Sequence, residues 1–324
     1  MPALSLEQKA MSLNADAGWS DWQPLPLSTP LNAAVLAETL DGGQAFRWQR
    51  VLSETGETWF GFFGSHAVRL RLDSHGKLYW SAPEQVGADV ELALIRYLNL
   101  GPELANALDS LPWRSDPHLA RCISAFPGLR ILRQPFGETL LGFLCSATKQ
   151  IVQIKQMIAL LAARHGEPLA HDAARALSAQ PAAKPLATHR LPTWATLATV
   201  PEAELRACLL GFRARYIHQS AQFIASHPGW LEETEQLPYA EAKERLCSLP
   251  GVGEKVADCV LLFGAGKLEA FPVDVWIIKS MAVRYGLEGW KPAQIAHFGR
   301  THFGAYAGLA QQYLFAWERQ FGRT

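Results

Sequence analysis

Two residues nineteen positions apart, Lys255 and Asp274, each stand where an apolar helical run begins, in "LPGVGEKVADCV" and "AFPVDVWIIKSM". A primary amine attacks electrophilic carbon, and an ionised carboxylate steadies positive charge that develops nearby. A lysine in the first turn of a helix opposes the positive end of the dipole, where stability alone favours an acid. That helix end and partial desolvation both disfavour an ammonium, and the neutral amine is the form that attacks. Taken singly, Asp274 reads as a good N-cap and Lys255 as a solvated lysine. Helices that start after "PGVG" and after "AFPV" can instead bring their N-termini to one cleft and set the amine beside the carboxylate.

The elements that must do this positioning are readable around them. "YAEAKERLCSL" is an amphipathic helix that Pro250 and Gly251 stop, and "GEKVADCVLLFG" starts another two or three residues later. So tight a hairpin exposes the first amides of the second helix, and Gly251 and Gly253 let backbone approach a ligand without a Cβ in the way. Phosphate is the obvious guest, although plain helix packing produces the same turn.

Upstream, from about Phe46 to Trp80, "AFRWQRV", "TWFGFFG", "AVRLRLD" and "KLYWSAP" are short, aromatic or β-branched, and separated by "ETGE" and "SHG" turns. They predict an antiparallel sheet. Beyond about Asp89 the spacing turns helical, notably in "ETLLGFLCSATKQIVQIKQMIALLAARHG" and "EAELRACLLGFRARYIHQSAQFIASH". The Ala/Pro-rich stretch 173–192 is expected to connect two helical groups as a surface loop, because its prolines interrupt any long helix.

With 324 residues, 49% hydrophobic and 19% charged, the chain is an ordinary globular sequence long enough for two or three compact units. No stretch approaches the roughly 20 apolar residues of a membrane span, and "MPALSLEQKA" lacks the order of a secretory signal, so a soluble intracellular protein is expected. The five cysteines are scattered without a C-x-x-C pair, which argues for free thiols rather than a zinc or iron–sulfur site. Net charge is zero, yet residues 121–160 carry Arg121, Arg130, Arg133, Lys149 and Lys155 against Glu138 alone, a balance of +4. On charge alone that segment reads equally as a phosphate-facing surface or as an uneven solvated face.

"LPGVGEKVADC" followed by "FPVDVW" resembles the helix-hairpin-helix DNA glycosylases, and "GGQAFRW", "LRILRQPFGETLLGFLCS", "LGFRARYI" and "FGAYAGLAQQYLF" are similar to their 8-oxoguanine branch, in the same order, over about residues 30 to 320. The resemblance implies an α+β chain: an N-terminal antiparallel-sheet domain, set at 20–115, then a mainly helical glycosylase fold, 116–324, with the hairpin at about 240–265. It implies a double-stranded DNA partner containing an oxidised purine, with the lesion flipped into a cleft, and a monomer working wherever the DNA is: cytoplasm or nucleoid in a prokaryote, nucleus in a eukaryote. Lys255 is then the nucleophile that attacks C1′ and forms a Schiff base permitting β-elimination, and Asp274 stabilises charge on the sugar. No cofactor is required. The Gly43 carbonyl would accept the N7 hydrogen of 8-oxoguanine, Gln311 would read the Watson–Crick edge, Phe315 and Cys259 would sandwich the ring, and Phe143 joins them as a substrate contact. Gly251, Val252 and Gly253 would meet DNA phosphate. The carbonyls of Cys247, Leu249 and Val252 match positions holding a monovalent or similar cation.

Departures from the family pattern follow "CS", where "CSATKQIVQI" places Thr148 at an asparagine position and Gln153 at an arginine position. Both positions meet the cytosine left behind. Arg213 keeps the remaining cytosine reader, Phe212 replaces a tyrosine as the wedge, and Trp276 stands where some relatives have a phosphate-contacting histidine. The resemblance thus implies a weakened preference for cytosine opposite the lesion. Two other readings remain: a same-fold glycosylase for other damaged purines, and a non-catalytic hairpin protein that only holds DNA backbone. The second has no use for Lys255 and Asp274 together.

Overall fold

The structure is a computed structural model and describes residues 18–27, 30–53, 56–83, 89–101, 103–169 and 187–322. A five-stranded antiparallel sheet comes first, with strands in the order β1-β5-β4-β3-β2: β1 Gln23–Pro24, β2 Trp48–Ser53, β3 Gly56–Phe63, β4 His66–Leu72 and β5 Leu78–Ser81. The four expected strand runs all lie in it. β1 was not anticipated; a two-residue strand carries no periodic signal, and Pro24 confines it to an edge.

Both faces of β3 are covered, which explains its aromatic density. Trp59 and Phe63 pack with Trp48, Val68, Leu70 and Tyr97 on one side, while Phe60 and Phe62 pack with Trp19, Val51 and Ala67 on the other. Gly61 faces Trp48 across the strand pair, and a Cβ there would lie 2.3 Å from the indole ring. The Trp48 indole N–H donates to the Tyr97 hydroxyl at 2.9 Å, and the Tyr97 ring stacks on Phe63. This fixes α2, Val90–Tyr97, against the sheet whose second strand begins just after the turn that carries Gly43.

The helices are α1 Ala33–Asp41, then α2, α3 Glu103–Ser110, α4 Pro117–Ala125, α5 Phe136–Leu144, α6 Ile151–His165, α7 Trp194–Thr199, α8 Glu202–Leu205, α9 Arg213–Ser226, α10 Trp230–Gln236, α11 Tyr239–Cys247, α12 Glu254–Val260, α13 Val275–Tyr285, α14 Pro292–Phe303 and α15 Ala307–Phe321. One large apolar cluster joins α4 to α15, and Leu31, Val35, Ala107 and Leu111 from the N-terminal part belong to it. The large core therefore runs across the boundary expected at residue 116.

Two runs with helical spacing are each divided between two helices. Residues 138–166 split into α5 and α6, with Thr148 in the left-handed region at φ 54°. Residues 202–227 split at a π turn, Arg206–Leu210, where Leu209 has φ 63° and Gly211 has φ 57°. The apolar spacing continues across both breaks because Cys145, Cys208, Leu210 and Ala214 stay buried while the backbone turns.

The cationic segment does not form one phosphate-facing surface. Arg130 is buried and donates to the Gly128 carbonyl, Arg133 pairs with Glu235 at 3.0 Å, and Lys155 pairs with Asp41 at 2.7 Å. The five cysteines are free. Of the expected surface connector 173–192, residues 173–186 lie outside the described residues, while Leu191 packs into the large core. Among the described residues no helix is long and apolar enough to cross a membrane.

Candidate active site

The hairpin is built from its glycines outward. The turn closes through the Val252 N–H donating to the Leu249 carbonyl at 3.1 Å, with Gly251 at φ 80°. A Cβ on Gly251 would lie 2.7 Å from the Tyr216 ring, so the position excludes any side chain on two counts. Gly251→Ala is expected to lower stability by about 1 kcal/mol or more, read as a fall in the thermal midpoint. Gly253 caps α12 in an extended conformation and has nothing within 4 Å of an added Cβ. Val252, by contrast, is buried.

A buried ionic clamp holds the two hairpin helices together. Lys243 of α11 pairs with Asp258 of α12 at 3.0 Å, and the Tyr239 hydroxyl donates to the same carboxylate at 2.6 Å. Burial pushes the Asp258 carboxyl above its usual range, and the charge of Lys243 is the largest influence opposing it. Desolvation of both groups offsets much of this attraction, so the pair adds little net stability.

Lys255 is the second residue of α12, directly after Glu254, which supplies the acid that the helix dipole favours. That settles why a cation is tolerated here. Its Nζ lies 5.3 Å from the centre of the Phe143 ring and 3.5 Å from the Ser146 Oγ, and its charge acts on the buried Cys259 thiol one turn further along α12. Phe143 is itself buried between Phe263 and Phe46, so it forms the floor beneath the amine. Burial pushes the Cys259 thiol up to about 12, which keeps it a neutral thiol.

Asp274 caps α13 and accepts from the Ile277 N–H at 2.9 Å. Burial raises its carboxyl above the ordinary value, opposed first by that amide bond and next by the charge of Lys255. The two groups thus feel each other through space while each holds separate partners. Trp276, half-buried, follows in the same first turn.

The remaining pocket residues meet from three chain regions. Gly43, at φ 108°, sits with its α-carbon side toward Ile151 and Phe315, whose atoms would lie 3.3 and 3.8 Å from an added Cβ. Arg319 of α15 pins this turn by donating to the Gly42 carbonyl at 3.1 Å and pairing with Glu38 at 3.0 Å. Gln311, one α15 turn before Phe315, is buried and donates to the Pro272 carbonyl at 3.1 Å. Its Oε1 lacks a hydrogen-bond partner. A buried acceptor left open is costly unless a ligand donor completes it.

The residues expected to meet the opposite strand cluster at the two helix breaks. Phe212 is 51% exposed, with its ring 4.4 Å from the Arg213 guanidinium and edge-on to Tyr216. Arg213 points inward and is buried; it donates to the carbonyls of Ala147 and Leu210 and, at 3.0 Å, to the Thr148 hydroxyl. Thr148 is exposed, and Gln153 is exposed with its Oε1 accepting from the Gln150 N–H at 3.2 Å. Ser146 and Tyr216 were not singled out from sequence: each matters only through tertiary contact, with Lys255 and with Gly251 respectively.

This fold and this lysine–aspartate arrangement define a helix-hairpin-helix base-excision protein. Residues 142–299 match the HhH-GPD superfamily base excision DNA repair protein family, and residues 27–140 match the 8-oxoguanine DNA glycosylase, N-terminal domain. The N-glycosylase/DNA lyase OGG1 of Arabidopsis thaliana is 32% identical over 95% of this chain and 83% of its own. An 8-oxoguanine glycosylase/lyase from Clostridium acetobutylicum, solved with double-stranded DNA containing cytosine opposite 8-oxoguanine, is 28% identical, with a TM-score of 0.78 over 94% of this chain and 99% of that one. A structure of MBOgg1 with a low-affinity DNA ligand is 30% identical, also with a TM-score of 0.78, over 94% of this chain and 100% of that one. The chain belongs to the 8-oxoguanine DNA glycosylase family.

Proposed function

We propose that the protein is a bifunctional DNA glycosylase and lyase that extrudes 8-oxoguanine from duplex DNA, removes it, and cleaves the strand. The observation that carries this reading is the Lys255 amine, held over Phe143 beside Ser146 and Cys259 in a site it shares electrostatically with Asp274. As the bond from C1′ to the base lengthens, positive charge grows on the sugar and the Asp274 carboxylate stabilises it. The neutral Lys255 amine forms a bond to C1′, and the base leaves with the bonding electron pair and takes up a proton. Opening of the sugar ring gives an imine between Nζ and C1′. That Schiff base acidifies the C2′ proton, whose loss expels the 3′ phosphate by β-elimination.

Extrusion places the flipped base between Phe315 and Cys259, with Gln311 Oε1 and the Gly43 carbonyl as acceptors. The 8-oxo form differs from guanine in carrying a hydrogen on N7, and an acceptor at Gly43 selects for it. The hairpin amides from Gly253 onward would hold a backbone phosphate. The donor set Cys247, Leu249 and Val252 consists of neutral carbonyls, which suits a monovalent cation bridging to that phosphate; Trp276 replaces a phosphate contact by stacking against the sugar or by core packing. The protein acts as a monomer, in the compartment that holds the DNA.

Excision from duplexes carrying 8-oxoguanine opposite each of the four bases tests this reading. Thr148 and Gln153 lack the charged, bidentate donor that discriminates bases by about 1–3 kcal/mol, so excision rates opposite C, A, G and T are expected to lie within roughly ten-fold of one another. Gln153→Arg should restore a preference for C. A steep wild-type preference for C contradicts the assignment of these two positions, and release of a different damaged purine in place of 8-oxoguanine contradicts the assignment of the pocket.

A further inference from the structure

We propose that Leu209 is a second apolar wedge, inserted into the duplex beside Phe212 to hold the helix open while the lesion is extruded. The proposal rests on the glycosylase reading above. Leu209 adopts φ 63° and ψ 16°, a left-handed conformation that glycine or asparagine adopts with less strain. Its side chain is 53% exposed, although Cys208 and Leu210 on either side are fully buried. The turn anchored by those two neighbours accounts for the outward direction. It does not account for the residue: an outward, left-handed position favours a small or polar side chain on backbone and solvation grounds alike.

The location supplies what the fold does not. Gly211, with φ 57° and ψ −130°, reverses the chain so that Phe212 is exposed on the same short turn. From Phe212 the contacts run to Tyr216 and from Tyr216 to the hairpin at Gly251, and in the other direction through Arg213 to Thr148. Leu209 therefore projects from a surface already joined to the phosphate-binding hairpin and to the segment that meets the opposite strand. Apolar side chains inserted between base steps unstack them at a cost of a few kcal/mol per step in DNA, recovered from protein contacts with the distorted duplex. Two such side chains on one rigid turn divide that task, which suits a site whose polar contacts to the opposite base are reduced.

The test pairs stability with excision for Leu209→Gly and Leu209→Met. Single-turnover excision is measured on a fully paired 8-oxoguanine duplex and on the same lesion within an unpaired bubble, where opening is already done. Leu209→Gly is expected to melt at or above the wild-type midpoint, to slow excision from the paired duplex by about ten-fold or more, and to stay within about two-fold on the bubble. Leu209→Met, which keeps the apolar reach, should stay within about three-fold of wild type on both substrates. The proposal is overturned if Leu209→Gly excises from the paired duplex at the wild-type rate, slows equally on both substrates, or melts lower than wild type. Wild-type protein inert on both substrates would instead overturn the glycosylase reading and take this proposal with it.

Discussion

Lys255→Gln will excise 8-oxoguanine at least about 1,000-fold more slowly than wild type and will form no borohydride-trapped adduct, because the amide lacks the nucleophilic electron pair on which both steps depend. The variant will still fold. Lys255 opposes the dipole of α12, whose first turn already has Glu254, so removing the charge gains about 0.3–1 kcal/mol there while giving up its support of the buried Asp274 carboxylate, and the midpoint should stay near that of the wild type. It will also still bind lesion duplex, because the glycine-rich hairpin and Phe212 are untouched. Single-turnover rates, thermal midpoints and anisotropy titrations on one preparation separate these expectations. A variant that binds and folds but keeps a substantial excision rate would make the lysine an accessory and leave another group to attack C1′.

Asp274→Asn separates two roles of one side chain. Asparagine caps helices about as well as aspartate, so the bond to the Ile277 N–H and the start of α13 survive the change. The negative charge does not, and loss of a preorganised electrostatic group of this kind reduces turnover by about 100- to 1,000-fold. Burial raises the Asp274 carboxyl above its ordinary value, so the folded protein binds this proton more tightly than the unfolded chain does. Its contribution therefore turns unfavourable as pH rises from about 3.9, the unfolded value, through the folded value, and stays so above it. Asp274→Asn should accordingly match or exceed the wild-type midpoint at neutral pH while losing catalysis. In the wild type, the acid limb of the rate profile should fall at a pH above the usual carboxylate range. A variant that is both inactive and markedly destabilised would mean that the carboxylate serves the fold rather than the reaction.

The parts of this molecule that announced themselves in sequence are those where chemistry or backbone geometry demands a particular residue type. The hairpin was readable because Pro250, Gly251 and Gly253 are the residues such a turn requires, and Lys255 because its charge sits where stability does not want it. The strands β2 to β5 were readable because turn signals separate aromatic runs. The two helix breaks were not, because burial on both sides preserves the helical spacing while Thr148 and Leu209 take a left-handed conformation that their identities do not advertise. Those breaks position the residues assigned to the opposite strand, so their roles came from family resemblance and their geometry only from the structure. Arg213 illustrates the gap: its position in "GFRARY" identifies the residue, but its inward bonds to Ala147, Leu210 and Thr148 follow from how the two breaks pack.

The most direct measurement is to trap wild-type protein on an 8-oxoguanine duplex with borohydride, digest the adduct, and locate the nucleotide remnant by mass spectrometry. The remnant is expected on Lys255, in a yield that rises with base release. Base release with no adduct, or an adduct at another amine such as the N-terminus, would contradict the lysine mechanism on which the account rests.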